Sequence, residues 1–102
     1  LRSGTTAVGE IDSTGETGMA LRSLPMTGRC YREVTGFHLL RRDARALVRD
    51  IFPKETGCMR SGLSPHAPYS VSPDLMRAAA ERTRNLTIHC AELPEEQPFL
   101  GP

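Results

Sequence analysis

The sequence predicts an α/β fold in which short parallel strands alternate with helices. Three observations carry this reading. Short apolar, β-branched stretches recur along the chain, each bounded by Gly, Pro or a polar run. Segments with helical periodicity or helix-start residues lie between them. The resulting β-α-β-α-β-α-β order calls for parallel strands joined by right-handed helical crossovers. A parallel sheet needs cover on both faces or closure into a barrel, so a partial (β/α) barrel and a small open α/β sheet both fit.

The elements follow in order. Residues Gly4 to Ile11 (GTTAVGEI) read as a short buried strand, closed by the polar run Asp12 to Thr17. A weak helix is expected over Glu16 to Leu24, because Gly18 costs it roughly 1 kcal/mol relative to Ala, and Pro25 stops it. Arg29 to Val34 (RCYREV) forms the second strand, closed by Thr35-Gly36. The clearest helix is Leu40 to Phe52, where Leu40, Ala44, Leu47, Val48 and Ile51 recur at three- and four-residue steps and Pro53 ends the run. The third strand is Gly62 to His66. Ser72 as N-cap, Pro73 at the first helical position and Asp74 in the first turn start the next helix. Its packing face is expected to be Leu75, Met76, Ala79 and Ala80, with Asn85 breaking it before a fourth strand, Leu86 to Cys90 (LTIHC).

At 102 residues, 1–102 reads as a single unit with one modest core. Thirteen Lys+Arg against twelve Asp+Glu leave a net charge of +1. The densest basic group, Arg41, Arg42, Arg45 and Arg49, falls on the side of its helix away from the apolar stripe, as a solvated face does. With two Tyr, three Phe and no Trp, the chain lacks a base-stacking platform, and no nucleic-acid partner is expected. No apolar run approaches the ~18 residues of a membrane span. No G-x-G-x-x-G follows the first strand. Cys30, Cys58 and Cys90 form no C-x-x-C pair and read as small buried residues with reduced thiols, in a cytoplasmic setting. The chain opens on Leu1 without an initiator Met, which reads as processing or truncation.

Chemistry concentrates at two strand ends. In Leu63-Ser64-Pro65-His66-Ala67-Pro68-Tyr69, two prolines fix the backbone on either side of a histidine, so the chain must leave the sheet in a rigid turn that aims His66 one way. A plain hydrogen bond from His66 to a loop carbonyl is the competing reading. In His89-Cys90-Ala91-Glu92, an unbroken strand would put His89 and Glu92 on opposite faces. They converge only if the strand ends near Ala91, a break supported by Pro94 opening a new helical stretch with Glu95 and Glu96 in its first turn. An imidazole with a carboxylate just above it, at the carboxyl end of a parallel strand, suits metal-assisted hydrolysis. One His and one Glu are by themselves a weak signal, since a lone His near a strand end is more often structural.

The stretch GLSPHAPYSVSPDLMRAAAE (Gly62 to Glu81), followed by LTIHCAELPEE (Leu86 to Glu96), resembles the amidohydrolase superfamily. The similar branch holds the S-adenosylhomocysteine/methylthioadenosine deaminases, the guanine and cytosine deaminases and the triazine chlorohydrolases. Ser3 to Val8 and Tyr31 to Gly36 resemble the second and third barrel strands of that branch. The resemblance implies strands two to five of a (β/α)8 TIM barrel, with three intervening helices. It implies a metal ligand at His89, a proton-shuttling glutamate at Glu92 and a substrate-contacting histidine at His66. The implied activity is hydrolytic deamination of a purine, pyrimidine or related heteroaromatic small molecule by metal-activated water. Zinc is the expected ion, with iron as the alternative. A dechlorinating or other amidohydrolase with the same machinery is the alternative within enzymes, and a non-catalytic α/β interaction domain is the alternative outside them. Arg32 and Glu33 receive no role, and Tyr69, Ser70 and Ser72 are ascribed to turns and capping.

The chain departs from the family pattern in having no H-x-H, and His38 reads as a surface residue. The end, Gln97 to Pro102, also departs from the family's longer helix, because Pro98 would interrupt it. The remaining ligands are expected outside this segment. One ligand of the usual three implies weak zinc binding and no turnover by the 102-residue chain alone. Half a barrel is expected to leave inward-facing Val8 and Ile88 without partners and two edges unpaired, which would favour a homo-oligomer.

Overall fold

The β-branched segments become Ala7–Asp12 (β1), Thr27–Val34 (β2) and Met59–Pro65 (β3). In this computed structural model, which describes residues 3–55 and 58–99, they form one sheet in the order β1-β2-β3 with both pairings parallel. Ile11, Tyr31 and Gly62 align as one row, and Asp12, Arg32 and Leu63 as the next. Adjacent rows point to opposite faces. The crossovers are Glu16–Arg22 (α1), Arg41–Ile51 (α2) and Pro73–Arg82 (α3).

The core lies on the face that carries Leu63. Val34 and Leu63 from the sheet meet Ala44 and Val48 of α2, and Leu75, Ala78 and Ala79 of α3. Burying a side chain such as Leu75 contributes about 1.5–3 kcal/mol. Cys30, which shares that face, lies where a side chain added at Gly18 of α1 would collide with it. All three helices therefore cover one face of a sequentially ordered sheet. An open doubly wound sheet would carry helices on both faces, so the arrangement is that of a partial TIM barrel.

Several local expectations shift. On α3 Leu75, Ala78 and Ala79 are buried and Met76 is half-buried against the same core, while Ala80 is exposed. Steps of three and four from Leu75 stay on its face, and a step of five leaves it. Leu40 is the N-cap of α2 and is exposed, and His38 lies in the exposed turn before it. Helix α1 stops at Arg22, two residues before the expected end. Gly18 is a requirement of that helix as well as a propensity cost, because a Cβ there would sit 2.8 Å from the Cys30 sulfur and 3.0 Å from an Asp12 oxygen. Gly28 is likewise forced, since a Cβ would meet the Val8 carbonyl oxygen. Only Cys30 of the cysteines is buried, whereas Cys58 and Cys90 are exposed, in the turn before β3 and beyond the last ladder bond of the sheet.

The expected fourth strand is the main correction. Residues 86–90 run alongside β3 but form a single parallel bridge, Leu63 to Leu86, so the described residues hold three strands. The reason is Pro65. Leu63 donates to the Asn85 carbonyl at 3.0 Å and accepts from Thr87 N–H at 3.1 Å. The alternation of a parallel ladder would next direct the N–H of residue 65 toward Thr87, and proline has none. Val8 and Ile88 also differ from expectation. Val8 aligns with Gly28 and Met59, and Ile88 follows two residues after Leu86, which bridges Leu63. That is the helix-bearing face. No helix among the described residues is long and apolar enough to cross a membrane.

Candidate active site

Beyond Pro65 the chain turns sharply, and hydrogen bonds hold His66 from both sides. Its N–H donates to the Val34 carbonyl and its own carbonyl accepts from His89 N–H, at 3.0 and 3.1 Å. Ser70 N–H donates to the Ala67 carbonyl at 3.1 Å, closing the turn. The Ser70 hydroxyl lies 2.8 Å from His66 Nδ1, and Tyr69 meets the same ring edge-on with centroids 5.8 Å apart. The turn is tied to the end of β2 through Gly36, whose N–H donates to the Ser70 carbonyl and whose carbonyl accepts from Ser72 N–H. Ser72 then caps α3, accepting from Leu75 N–H at 3.1 Å while its hydroxyl donates to the Leu39 carbonyl at 2.7 Å.

The second element is HCAE. His89 leaves the sheet edge, Ala91 adopts the left-handed conformation at φ 55°, and Glu92 turns back. Glu92 Oε1 lies 3.0 Å from His89 Nδ1. An ionised carboxylate only accepts, so Nδ1 carries a proton, and in the neutral ring Nε2 is the nitrogen with the lone pair. The His66 and His89 rings meet with centroids 5.7 Å apart. The three residues singled out in the sequence thus lie together at the carboxyl end of β3 and the segment beside it, where parallel α/β folds build sites.

A neutral imidazole oriented by a carboxylate on its other nitrogen is the donor chemistry of a divalent-metal ligand. His89 fits that part. Among the described residues no group of three or more His, Cys, Asp and Glu side chains is arranged to hold an ion.

Residues 1–98 match the Amidohydrolase family. The chain belongs to that family. Amidohydrolases generally use a divalent metal. No curated protein matches the sequence. Two crystal structures of Helicobacter pylori aminofutalosine deaminase share the fold at 24% identity, one with TM-score 0.74 and one, in complex with methylthio-coformycin, with TM-score 0.76. The similarity covers 92% and 95% of this chain but 25% and 26% of those chains, so this amidohydrolase segment spans about a quarter of their length.

Other charged residues near the sheet have separate tasks. Arg32 donates to the Asp12 carbonyl at 3.2 Å, on the helix-bearing face and away from the histidines. Asp12 is itself buried. Burial acts to raise its pKa, but N–H donors from Gly18, Gly15 and Thr14, aided by the Arg32 charge, hold it below the usual carboxylate value. Burial pushes the Cys30 thiol up, and the Asp12 charge adds to the effect, so this thiol is protonated and unreactive. Sequence reasoning missed two residues that shape the site. The sequence pattern accounts for Ser70 by the turn alone, although its four-residue spacing from His66 across a proline turn is the available signal. It accounts for Glu96 as a helix-dipole charge, and nothing local in the sequence announces its contact with Ala91.

Proposed function

We propose that this segment belongs to an amidohydrolase that hydrolytically deaminates a purine, pyrimidine or related heteroaromatic small molecule. The observation that carries the reading is the 3.0 Å His89–Glu92 pair, set beside His66 at the carboxyl end of the sheet. His89, through Nε2, would be one ligand of the ion, with the others supplied from outside the described residues. When bound, a divalent ion, zinc in the first instance and iron otherwise, supplies the Lewis acidity that makes water a nucleophile at neutral pH.

Glu92, once its carboxylate swings from Nδ1 to the Nε2 side of His89, takes the proton that water loses as its oxygen bonds to the electron-poor ring carbon. Glu92 then hands that proton to the exocyclic nitrogen, the C–N bond breaks, and ammonia leaves while the carbon retains the oxygen. His66 meets the substrate through Nε2, because Ser70 engages Nδ1.

Ammonia release from aminopurine and aminopyrimidine nucleosides, by the polypeptide that carries this segment, is the test. Glu92→Gln should slow it by roughly 100- to 10,000-fold, the usual worth of general acid–base catalysis. Release at the wild-type rate in Glu92→Gln refutes the role of Glu92. Chloride release from chlorinated triazines, with no ammonia from any amine, replaces deamination with dechlorination.

A further inference from the structure

We propose that Glu96 is a positioning residue, whose buried carboxylate holds Ala91 in the left-handed turn that brings Glu92 back to His89. The proposal rests on the roles given above to His89 and Glu92. Among the described residues Ala91 is the one non-glycine with positive φ, at 55°. An L-residue with a Cβ pays a steric penalty there and stays only where its surroundings fix it.

The fixing contact is specific. Glu96 Oε2 accepts the Ala91 N–H at 2.9 Å. Glu96 is 6% exposed, whereas its neighbours Glu92 and Glu95 are exposed. Its own N–H donates to the Leu93 carbonyl at 3.1 Å, within the 3-10 turn Pro94–Phe99 that places the side chain beneath Ala91. A buried carboxylate is unfavourable unless it is hydrogen-bonded, and a backbone N–H to a charged oxygen is among the stronger such bonds. Without the turn, extended backbone would carry residue 92 to the face opposite residue 89. The acceptor beneath Ala91 therefore decides whether the carboxylate of Glu92 meets the imidazole of His89.

Long-range ¹H–¹⁵N spectra of the histidine rings in the metal-free 102-residue chain read this directly, because they report whether His89 is held as the Nδ1–H form. Glu96→Gln keeps an acceptor oxygen and should keep the wild-type pattern. Glu96→Ala should lose it, leaving His89 averaged between its two neutral forms. Adding Ala91→Gly to Glu96→Ala should restore it, since glycine enters the turn without the Cβ penalty. An unchanged pattern in Glu96→Ala overturns the proposal. Loss that Ala91→Gly does not repair overturns it too, because Glu96 would then act through packing. Should Glu96→Ala fail to fold, the same double variant decides: recovery of a folded chain with the Nδ1–H form supports the proposal, and no recovery overturns it. The readout involves no turnover. A failure of Glu92→Gln to slow ammonia release would refute the proposed function and leave this result standing.

Discussion

His89 N–H donates to the carbonyl oxygen of His66 at 3.1 Å, one residue beyond where a regular ladder would place the bond. Pro65 causes the slip. A regular parallel ladder would pair His89 N–H with the carbonyl of residue 65, after an N–H from residue 65 to Thr87. Proline removes that donor, the sheet lets go early, and the two histidine loops are stitched to each other. Pro65→Ala should therefore supply the missing N–H and extend the ladder toward residues 86–90. The check is hydrogen exchange: a protected amide at position 65, with the His89 amide still protected, is the expected outcome. A rapidly exchanging amide at 65 would mean that something other than the missing donor ends the strand.

Ser70 should matter through His66. Its hydroxyl has one hydrogen, and the Ala67 carbonyl lies 3.2 Å away in position to take it. The oxygen then faces His66 Nδ1 as an acceptor at 2.8 Å. Ser70→Ala removes the hydrogen bond to His66 together with the one to Ala67, and the loss at His66 is worth roughly 0.5–1.5 kcal/mol, or about 2- to 10-fold. The expected outcome is a rise in KM of that size with kcat less affected, and recovery in Ser70→Thr. Steady-state kinetics of both variants test it. A fall in kcat at constant KM would place His66 in the chemical step instead.

The fold class and α2 and α3 were legible because their signals are local. The Leu47, Val48 and Ile51 spacing and the Ser72-Pro73-Asp74 start need no partner to be read. The failures are tertiary. Nothing in LTIHC shows that its neighbour lacks an N–H at the decisive position, and nothing in GETGMA shows that Gly18 abuts Cys30 and Asp12. At the site, the sequence pattern named His66, His89 and Glu92. The residues that orient them, Ser70 and Glu96, look like ordinary turn and helix-start residues until the backbone brings them round.

Asp12 should make stability depend on pH in the acid range. Its carboxylate accepts three backbone N–H bonds, two from Gly15 and Gly18 at the start of α1, and its pKa in the fold is lowered. A carboxyl of depressed pKa contributes stability that is fully present above its unfolded value, about 3.9. That contribution falls as pH drops below this value and is gone once pH passes below the folded pKa. Thermal midpoints between about pH 2 and pH 6 should fall on acidification, and Asp12→Asn should flatten the curve while lowering its plateau. A wild-type curve no steeper than that of Asp12→Asn would assign the acid sensitivity to other carboxyls.

The two adjacent alanines of α3 give the sharpest test of how this helix sits on the sheet. Ala79 is fully buried against the core, whereas Ala80, which the sequence pattern placed on the same face, is exposed. The two differ by one residue, or about 100° around the helix. Adding methylenes at a packed position forces neighbours off their rotamers and costs about 1–3 kcal/mol, whereas an exposed helical site changes stability by about 0.5 kcal/mol at most. Ala79→Leu should therefore lower the urea midpoint clearly, and Ala80→Leu should leave it nearly unchanged. Leu75→Ala, from the same buried row, should cost about 2–5 kcal/mol by leaving a cavity. The three midpoints, measured at constant slope, decide the rotation of α3. Equal sensitivity at positions 79 and 80 would mean that the helix is turned toward the face read from sequence alone, with Ala80 rather than Ala78 packed against the sheet.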